Sequence, residues 1–374
     1  MRLLFTAPPG AGHLFPLFPL AWAALSSGHA VAMATTGANV DLAARSGVPV
    51  VDIAPDVDVA TEYDRLNRET NLGGVTDPAT ARRRGGVRFA AMADLMLDGL
   101  VRHIERWRPD VVLYDPYQVA GLVAAHLAGI PAVLHGTGLP MRTFRPALDA
   151  MTRPRQYGLA EPPTDPAAML NVCPDSVDWQ RRHRGWPMRY VPNDLAGPLP
   201  RWLAARPSRP RICVTFGSIL ADLGSTALRS TVDALAEMTV EVVLSKGGAN
   251  GYEIGALPPN VRVADWLPLS VVLPACSAVV HHGGAGTTFG ALASGVPQVI
   301  LPHGGDQPVN ARAVVERGVA IMVESESAEP ATIGEAVRLL LGRSSHRATA
   351  AEVARENAAR PSPSDALARI AELP

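Results

Sequence analysis

Short apolar runs that close on a loop and give way to helical spacing recur along most of this chain. "LLFTA", "AVAMATT", "VPVVDIA", "DVVLYD" and "PAVLHG" read as strands of a parallel sheet, because strands buried on both faces are nearly continuously apolar. Between them lie "LFPLFPLAWAALSSG", "ANVDLAARSG" and "YQVAGLVAAHLAG"; the last two stop on glycine, a common helix terminator. Such alternation means βαβ units wound into a sheet with helices on both faces. The pattern loses order between Met141 and Pro210, where "NDLAGPLPRWLAARPSRPR" reads as a linker. It then restarts with "RICVTFGS", a strand running into a glycine turn, followed by "VEVVLSK", "VRVADW", "AVVHH", "PQVILP" and "VAIMVE". The expectation is α/β, with two Rossmann-like halves whose ligand loops lie at the strand C-termini. The last thirty residues read as helical with a break at "RPSPS", and "FAAMADLMLDGLVRHIERW" has helical apolar spacing. The polar segment Thr61–Gly86 before it is too long for an ordinary connection and reads as a mobile functional loop.

Length and composition fit two domains. The chain has 374 residues, is 47% hydrophobic and carries a net charge of -1 from interspersed acids and bases. That balance offers no nucleic-acid footprint. Three scattered cysteines, Cys173, Cys213 and Cys276, have no C-x-x-C spacing and read as buried reduced thiols of a cytoplasmic protein. The first apolar stretch is broken by Pro8, Pro9, Pro16 and Pro19, so it lacks a signal-peptide layout. No uninterrupted run of membrane length follows, and stable membrane insertion is not expected.

Two loops carry chemistry. "PPGAGH" joins the first strand to the first helix with His13 at the junction; by itself such a histidine is as readily a cap or a packing residue as a functional group. "AVVHHGGAGTTFGALASG" is a strand, a turn whose N–H groups no side chain covers, and a helix start, which together suit an anion. His282 and Thr287 add donors there.

The full stretch "DWLPLSVVLPACSAVVHHGGAGTTFGALASGVPQVILPHGGDQPVNARAVVERG" closely resembles the nucleotide-sugar signature of glycosyltransferase family 1, in the version of bacterial antibiotic glycosyltransferases. "GAGHLFPLFPLAWAALSSGH" and "RYVPNDLAGPLPRWLAARPSRPRICVTFGS" resemble that group too, so the likeness spans nearly the whole chain apart from the loops after Ala60 and Met141. The resemblance implies the GT-B fold: two facing Rossmann-like domains with parallel sheets. Residues 1–205 would bind the acceptor, 206–355 the sugar donor, and a tail at 356–374 would cross back to the first domain.

It also implies roles. Trp266 and Leu267 match positions that wall the base and hydrogen-bond it through the backbone. His282, Gly284, Ala285, Gly286 and Thr287 match the pyrophosphate cradle, Ser218 a second phosphate contact, and Asp306 with Gln307 the pair that reads sugar hydroxyls. His13 matches the catalytic base and Asp115 its anionic partner, as in a serine-protease arrangement. Gly12 would let the backbone approach the donor phosphate. Phe89 and Met92 could face a flat apolar acceptor, while His126 and His135 read as structural and His303 as a possible aid to the sugar site.

The resemblance thus implies an inverting, metal-independent transfer of a deoxysugar from a dTDP-sugar to a hydrophobic, polyketide-type acceptor. One departure bears on the nucleotide. Where plant members of the family grip the ribose hydroxyls with a glutamate, this chain has Gly290, which favours a 2′-deoxyribose unless another residue takes over the ribose. No cofactor is implied. The literal D-x-D at Asp56–Asp58 belongs to a different fold's metal site and reads here as solvated acids, leaving the donor phosphate to the helix dipole and His282. A nucleotide-sugar epimerase and a non-catalytic nucleotide-sugar-binding protein on the same fold are the alternatives, and the oligomeric state is left open.

Overall fold

The computed structural model describes residues 1–70, 77–141, 143–180, 185–195, 199–204, 207–217, 225–246, 256–264, 266–324 and 328–374. They form two compact units. The first comprises Met1–Val172, Arg182–Met188 and Pro361–Pro374; the second comprises Cys173–Arg181 and Arg189–Arg360.

In the first unit, β1 (Arg2–Thr6), β2 (Ala30–Thr35), β3 (Val50–Asp52), β4 (Val111–Tyr114), β5 (Ala132–His135), β6 (Ala168–Asn171) and β7 (Trp186–Pro187) form a parallel sheet. Their order is β3-β2-β1-β4-β5-β6-β7. The chain winds outward from β1 to β3, then returns to start again at β4, so the order reverses between β1 and β4. That reversal parts the loops above the strand ends and leaves a crevice there, the usual ligand position in such sheets. Leu3, Leu4 and Phe5 of β1 have no exposed surface, as a strand covered on both faces requires.

The polar segment read as a mobile loop is largely helical. Val59–Thr70 and Pro78–Trp107 are helices, and residues 71–76 between them lie outside the described part. Arg65 pairs with Glu62 and Glu69 on helical spacing, which sustains a helix that is mostly polar. Asp77 caps the second helix by accepting from the N–H groups of Ala79 (3.3 Å) and Thr80 (2.9 Å), and Pro78 occupies its first turn. Asp58, half of the literal D-x-D, accepts from the backbone (3.1 Å) and hydroxyl (2.8 Å) of Thr61. Those bonds hold its carboxyl below the usual range. It is a turn former at a helix start.

Along the thirty-residue helix, Ala90, Ala93, Met96, Leu97, Leu100 and Ile104 pack with Val112, Tyr114 and Leu134 of the sheet. Each large side chain buried this way contributes about 1.5–3 kcal/mol. Asp94 of the same helix accepts from Thr152 N–H (2.9 Å), Thr152 Oγ1 (2.7 Å) and Arg153 N–H (3.1 Å), and Tyr157 donates to Asp98 (2.8 Å). These bonds tie down part of the stretch after Met141 in which the sequence pattern faded. β6 and β7 also fall in that stretch; two to four residues are too few to show a period, and pairing with β5 makes β6 a strand.

The second unit repeats the plan. β8 (Arg211–Thr215), β9 (Glu241–Ser245), β10 (Val261–Ala264), β11 (Ala278–His281), β12 (Gln298–Ile300) and β13 (Ala320–Met322) are parallel in the order β10-β9-β8-β11-β12-β13, with the reversal between β8 and β11. Ile212, Val214, Val242, Leu244 and Val280 face one core. Cys213, Val243 and Val279 face the other, together with Leu267, Val272, Leu273, Ala291 and Val296. Asp194 and Leu195, within the stretch read as a linker, are fixed to this unit. Asp194 accepts from Ser270 N–H (2.7 Å), and the Leu195 carbonyl accepts from the Trp266 indole (3.4 Å). The helix Ser344–Ala359 presents Asn357, which exchanges two hydrogen bonds of 2.9 Å with the Tyr190 backbone. Beyond it, Ser362 and Asp365 form a reciprocal cap for the helix Pro363–Ile370, which packs on Phe18–Ser26 within the first unit. Among the described residues no helix is long and apolar enough to cross a membrane.

Two strands end in a wholly buried histidine, His135 on β5 and His281 on β11. Burial pushes each imidazole down to about 4, against the pull of a hydrogen bond from each ring, so both are neutral in the folded protein. Unfolding returns them to an ordinary value near 6.5. Their contribution to stability is therefore complete above about 6.5 and is lost as pH falls toward 4, on the order of 3 kcal/mol each. The urea midpoint should fall between pH 7.5 and 5.5, where few carboxylates titrate, and fall less in His135→Leu. A midpoint that stays level across that range would show that these rings are not neutral in the fold.

Candidate active site

Four polar groups of the loop after β1 are held. The carbonyls of Ala7, Pro8 and Pro9 accept from Thr35 Oγ1 (3.2 Å), Asn39 Nδ2 (3.0 Å) and Tyr63 Oη (2.9 Å), while Gly10 N–H donates to Asn39 Oδ1 (3.1 Å). Asn39 is 1% exposed, so these are desolvated bonds that would be costly to break. The short helix Ala11–Leu14 follows and carries His13.

Asp115, just past the end of β4, is fully buried. Its Oδ2 lies 3.1 Å from His13 Nδ1, and its Oδ1 accepts from Tyr117 N–H at 2.8 Å. A carboxylate at Nδ1 fixes the proton there and leaves the lone pair on Nε2. The pair straddles the β1/β4 reversal, since parallel pairing sets Thr6 opposite Tyr114 and so brings both loops to one place. The His13 side chain is 25% exposed, enough to meet a ligand.

Aromatic rings surround it. Phe89 and Tyr117 meet His13 edge-on at 5.7 and 5.2 Å, and lie 4.5 Å from one another; Phe144 is 4.9 Å from Tyr117. The guanidinium groups of Arg88 and Arg82 lie over Phe89 and Phe144. Met92 departs from the expectation of an acceptor contact. It is 1% exposed and so has almost no surface to offer a ligand, and Phe89 one turn before it is 9% exposed. Gly12 is exposed, with open space where a side chain would begin.

In the second unit the loop after β11 is built on two adjacent histidines with different tasks. His281 Nδ1 accepts from Gly283 N–H (3.1 Å), so Nε2 carries the proton and donates to Gln298 Oε1 (2.8 Å). Gln298 in turn donates to the Thr288 carbonyl (3.3 Å). His282 turns its ring between two glycines. At Gly217, with φ +64°, a Cβ would lie 2.9 Å from Cε1, and at Gly284 it would overlap Nε2. Burial, then the neighbouring imidazoles of His281 and His303, push His282 down to about 3. Without a bound anion, His282 is therefore held neutral. At the N-terminus of the helix Ala285–Ser294, Gly284 supplies no side-chain cap and Gly286 is exposed, so the first N–H groups are open to an acceptor.

Asp306 and Gln307 open the helix Gln307–Glu316. Asp306 is exposed, and its Oδ2 accepts from Asn310 Nδ2 at 2.7 Å. Gln307 is buried, with Oε1 accepting from the N–H groups of His303 (2.8 Å) and Gly304 (3.4 Å); its oxygen thus shapes the loop before it. Trp266 keeps 37% of its surface exposed, whereas Leu267 is 2% exposed and has only its backbone to offer a ligand. Gly290 is buried, and a Cβ there would touch Leu273 Cδ1 at an ordinary 3.6 Å. Ser218 lies outside the described residues. Among those described, no group of three or more His, Cys, Asp or Glu side chains is placed to hold a metal.

Asn39, Tyr117, Phe144, His281, Gln298 and Asn310 were not singled out from the sequence. Asn310 lies one helical turn beyond Asp306, while Asn39, Phe144 and Gln298 reach their partners across the fold.

The model for the erythromycin biosynthesis protein CIII-like N-terminal domain matches residues 22–217, and that for the corresponding C-terminal domain matches 229–373. Elloramycin glycosyltransferase ElmGT of Streptomyces olivaceus is 37% identical, over 99% of this chain and 97% of its own. The crystal structure of the glycosyltransferase SnogD from Streptomyces nogalater aligns with a TM-score of 0.84 at 33% identity, covering 100% of this chain and 99% of that one. Spinosyn rhamnosyltransferase SpnG, solved with the spinosyn aglycone, aligns at 0.84 with 29% identity over 100% of both chains; SpnG has also been solved with thymidine diphosphate. These likenesses decide against the epimerase and the non-catalytic binder. With two Rossmann-like parallel-sheet domains of the GT-B type and relatives matched from end to end, the chain is a glycosyltransferase of the erythromycin biosynthesis protein CIII-like family.

Proposed function

We propose that this enzyme transfers a deoxysugar from a dTDP-sugar, with inversion, to a hydroxyl of a hydrophobic polyketide-type acceptor. The observation that carries the mechanism is the 3.1 Å contact between His13 Nδ1 and the buried Asp115. His13 Nε2 takes the proton from the acceptor hydroxyl as its oxygen attacks the anomeric carbon. The bond from that carbon to the diphosphate breaks on the opposite side, and dTDP leaves. Asp115 is a positioning residue that holds the tautomer and stabilises the imidazolium as it forms. Phe89, Tyr117 and Phe144 give the acceptor an aromatic wall beside the base, and the SpnG aglycone complex supports a small-molecule acceptor of this kind. The three cysteines are free, which suits a reducing compartment, and we place the enzyme in the cytoplasm.

A screen of dTDP-sugars against polyketide aglycones by mass spectrometry identifies a working pair. On an aliphatic hydroxyl, His13→Ala should then lower kcat/KM roughly 10²–10⁴-fold while leaving dTDP affinity nearly unchanged. Asp115→Asn should also be impaired, since an amide no longer selects the tautomer. Wild-type turnover by His13→Ala would refute the base assignment; phenolic acceptors, already acidic, test it less sharply.

The leaving diphosphate is stabilised by the N–H groups of the first turn of Ala285–Ser294 and by His282, without a divalent ion. Activity should survive exhaustive EDTA treatment. A loss that Mg²⁺ or Mn²⁺ restores would count against this reading.

Gly290 gives the nucleotide preference, and the SpnG complex with thymidine diphosphate supports it. Without a residue to grip it, a 2′-hydroxyl forgoes about 0.5–1.5 kcal/mol of hydrogen bonding. The thymine methyl gains about 0.8 kcal/mol if buried beside Trp266. Together these favour dTDP over UDP by roughly tenfold. Calorimetric titration with the free nucleotides measures the ratio, and Gly290→Glu should narrow it because a Cβ fits there. Equal affinities in the unaltered enzyme would remove the argument.

A further inference from the structure

Asn310 joins two parts of the donor site that the chain keeps far apart. It lies on the helix Gln307–Glu316, 3% exposed, and its single NH₂ group donates twice: to the Gly283 carbonyl at 3.0 Å and to Asp306 Oδ2 at 2.7 Å. Gly283 has φ +90°, and its N–H is already committed to His281. His281 and Asn310 therefore fix the two polar groups of the residue that aims the glycine turn into the helix Ala285–Ser294. The other proton of the same amide anchors one oxygen of an exposed carboxylate and so sets the plane in which the second oxygen points. The first unit uses the same device. Asn39, on the helix following the neighbouring strand, holds the loop that leads to His13 through Pro8 and Gly10.

We propose that Asn310 is a positioning residue for sugar recognition, fixing the Asp306 carboxylate relative to the diphosphate cradle so that sugar and phosphate are read as one rigid unit. This rests on the reading of Asp306 as the sugar contact. Leucine at 310 would fill the same volume and remove the donor from which Asp306 Oδ2 accepts. The turn at Gly283, still held by His281, would change less. A variant that merely loosened the loop would weaken dTDP and dTDP-sugar alike; loss of the brace weakens the sugar's share.

The test is a double-mutant cycle in binding, needing no acceptor. Calorimetry measures affinity for free dTDP, dTDP-glucose and dTDP-rhamnose in wild type, Asn310→Leu, Asp306→Ala and the double variant. The sugar's contribution is the ratio of dTDP-sugar to dTDP affinity for the sugar that gives the larger ratio. Asn310→Leu should cut that ratio about five- to tenfold, the worth of one anchored charged hydrogen bond, with free dTDP changed by less than about threefold. In the Asp306→Ala background the same substitution should leave the ratio unchanged. If the losses multiply, or if free dTDP falls as far as dTDP-sugar, the brace is wrong. If Asp306→Ala itself leaves the ratio intact, the sugar reading of Asp306 fails first. Asn310→Asp gives an independent readout should the leucine variant not fold. At pH 7.5 two adjacent carboxylates repel and the ratio drops; toward pH 5.5 one takes a proton, can donate again, and the ratio should recover. A ratio equally low at both values would overturn the proposal.

Discussion

The all-parallel pairing of the two sheets is the constraint from which the rest follows. A parallel pair cannot be joined by a tight turn, so every connection must cross the sheet, and every strand delivers its C-terminal end to the same edge. In each unit the winding reverses once, between β1 and β4 and between β8 and β11. The loops that leave those four strands are the ones that carry His13, Asp115, Gly217 and His282. The candidate site residues of each unit are thus gathered at the strand ends where the winding reverses.

Buried amides then turn a permissive loop into a fixed one. A glycine- and proline-rich turn has no side chains with which to hold itself. Asn39 and Asn310, each almost wholly buried, supply donors to the carbonyls of their respective loops. His281 and Gln298 do the same from inside the second sheet, in a neutral network whose donors and acceptors match around the ring. Such networks stiffen a site when every member is paired. They also explain why a loop of small residues can present backbone N–H groups in a set direction.

Electrostatics divides the labour among histidines of similar sequence appearance. His13 lies against a carboxylate and is partly exposed, so its proton is directed to Nδ1. His282, enclosed by glycines and other imidazoles, is held neutral. His135 and His281 are buried neutral elements of the cores. One residue type stands as the partner of a buried carboxylate, as an enclosed neutral ring and as a core strut, according to burial and neighbours alone.

The strand–turn–helix alternation determined the α/β class and eleven of the thirteen described strands, because period and turn chemistry are local properties. It misjudged Thr61–Gly86, where a cap at Asp77 and ion pairs at helical spacing outweigh a polar composition. It missed β6 and β7, short strands that exist only by pairing with their neighbours. Tertiary structure alone decided that Met92 faces inward while Phe89 meets Tyr117 and His13, and that His282 is uncharged. The chain determines which groups are present within a few residues of one another. Which groups share a dry space with which partners depends on contacts between segments a hundred residues apart, such as His13 and Asp115, and those exist only once the sheet has formed.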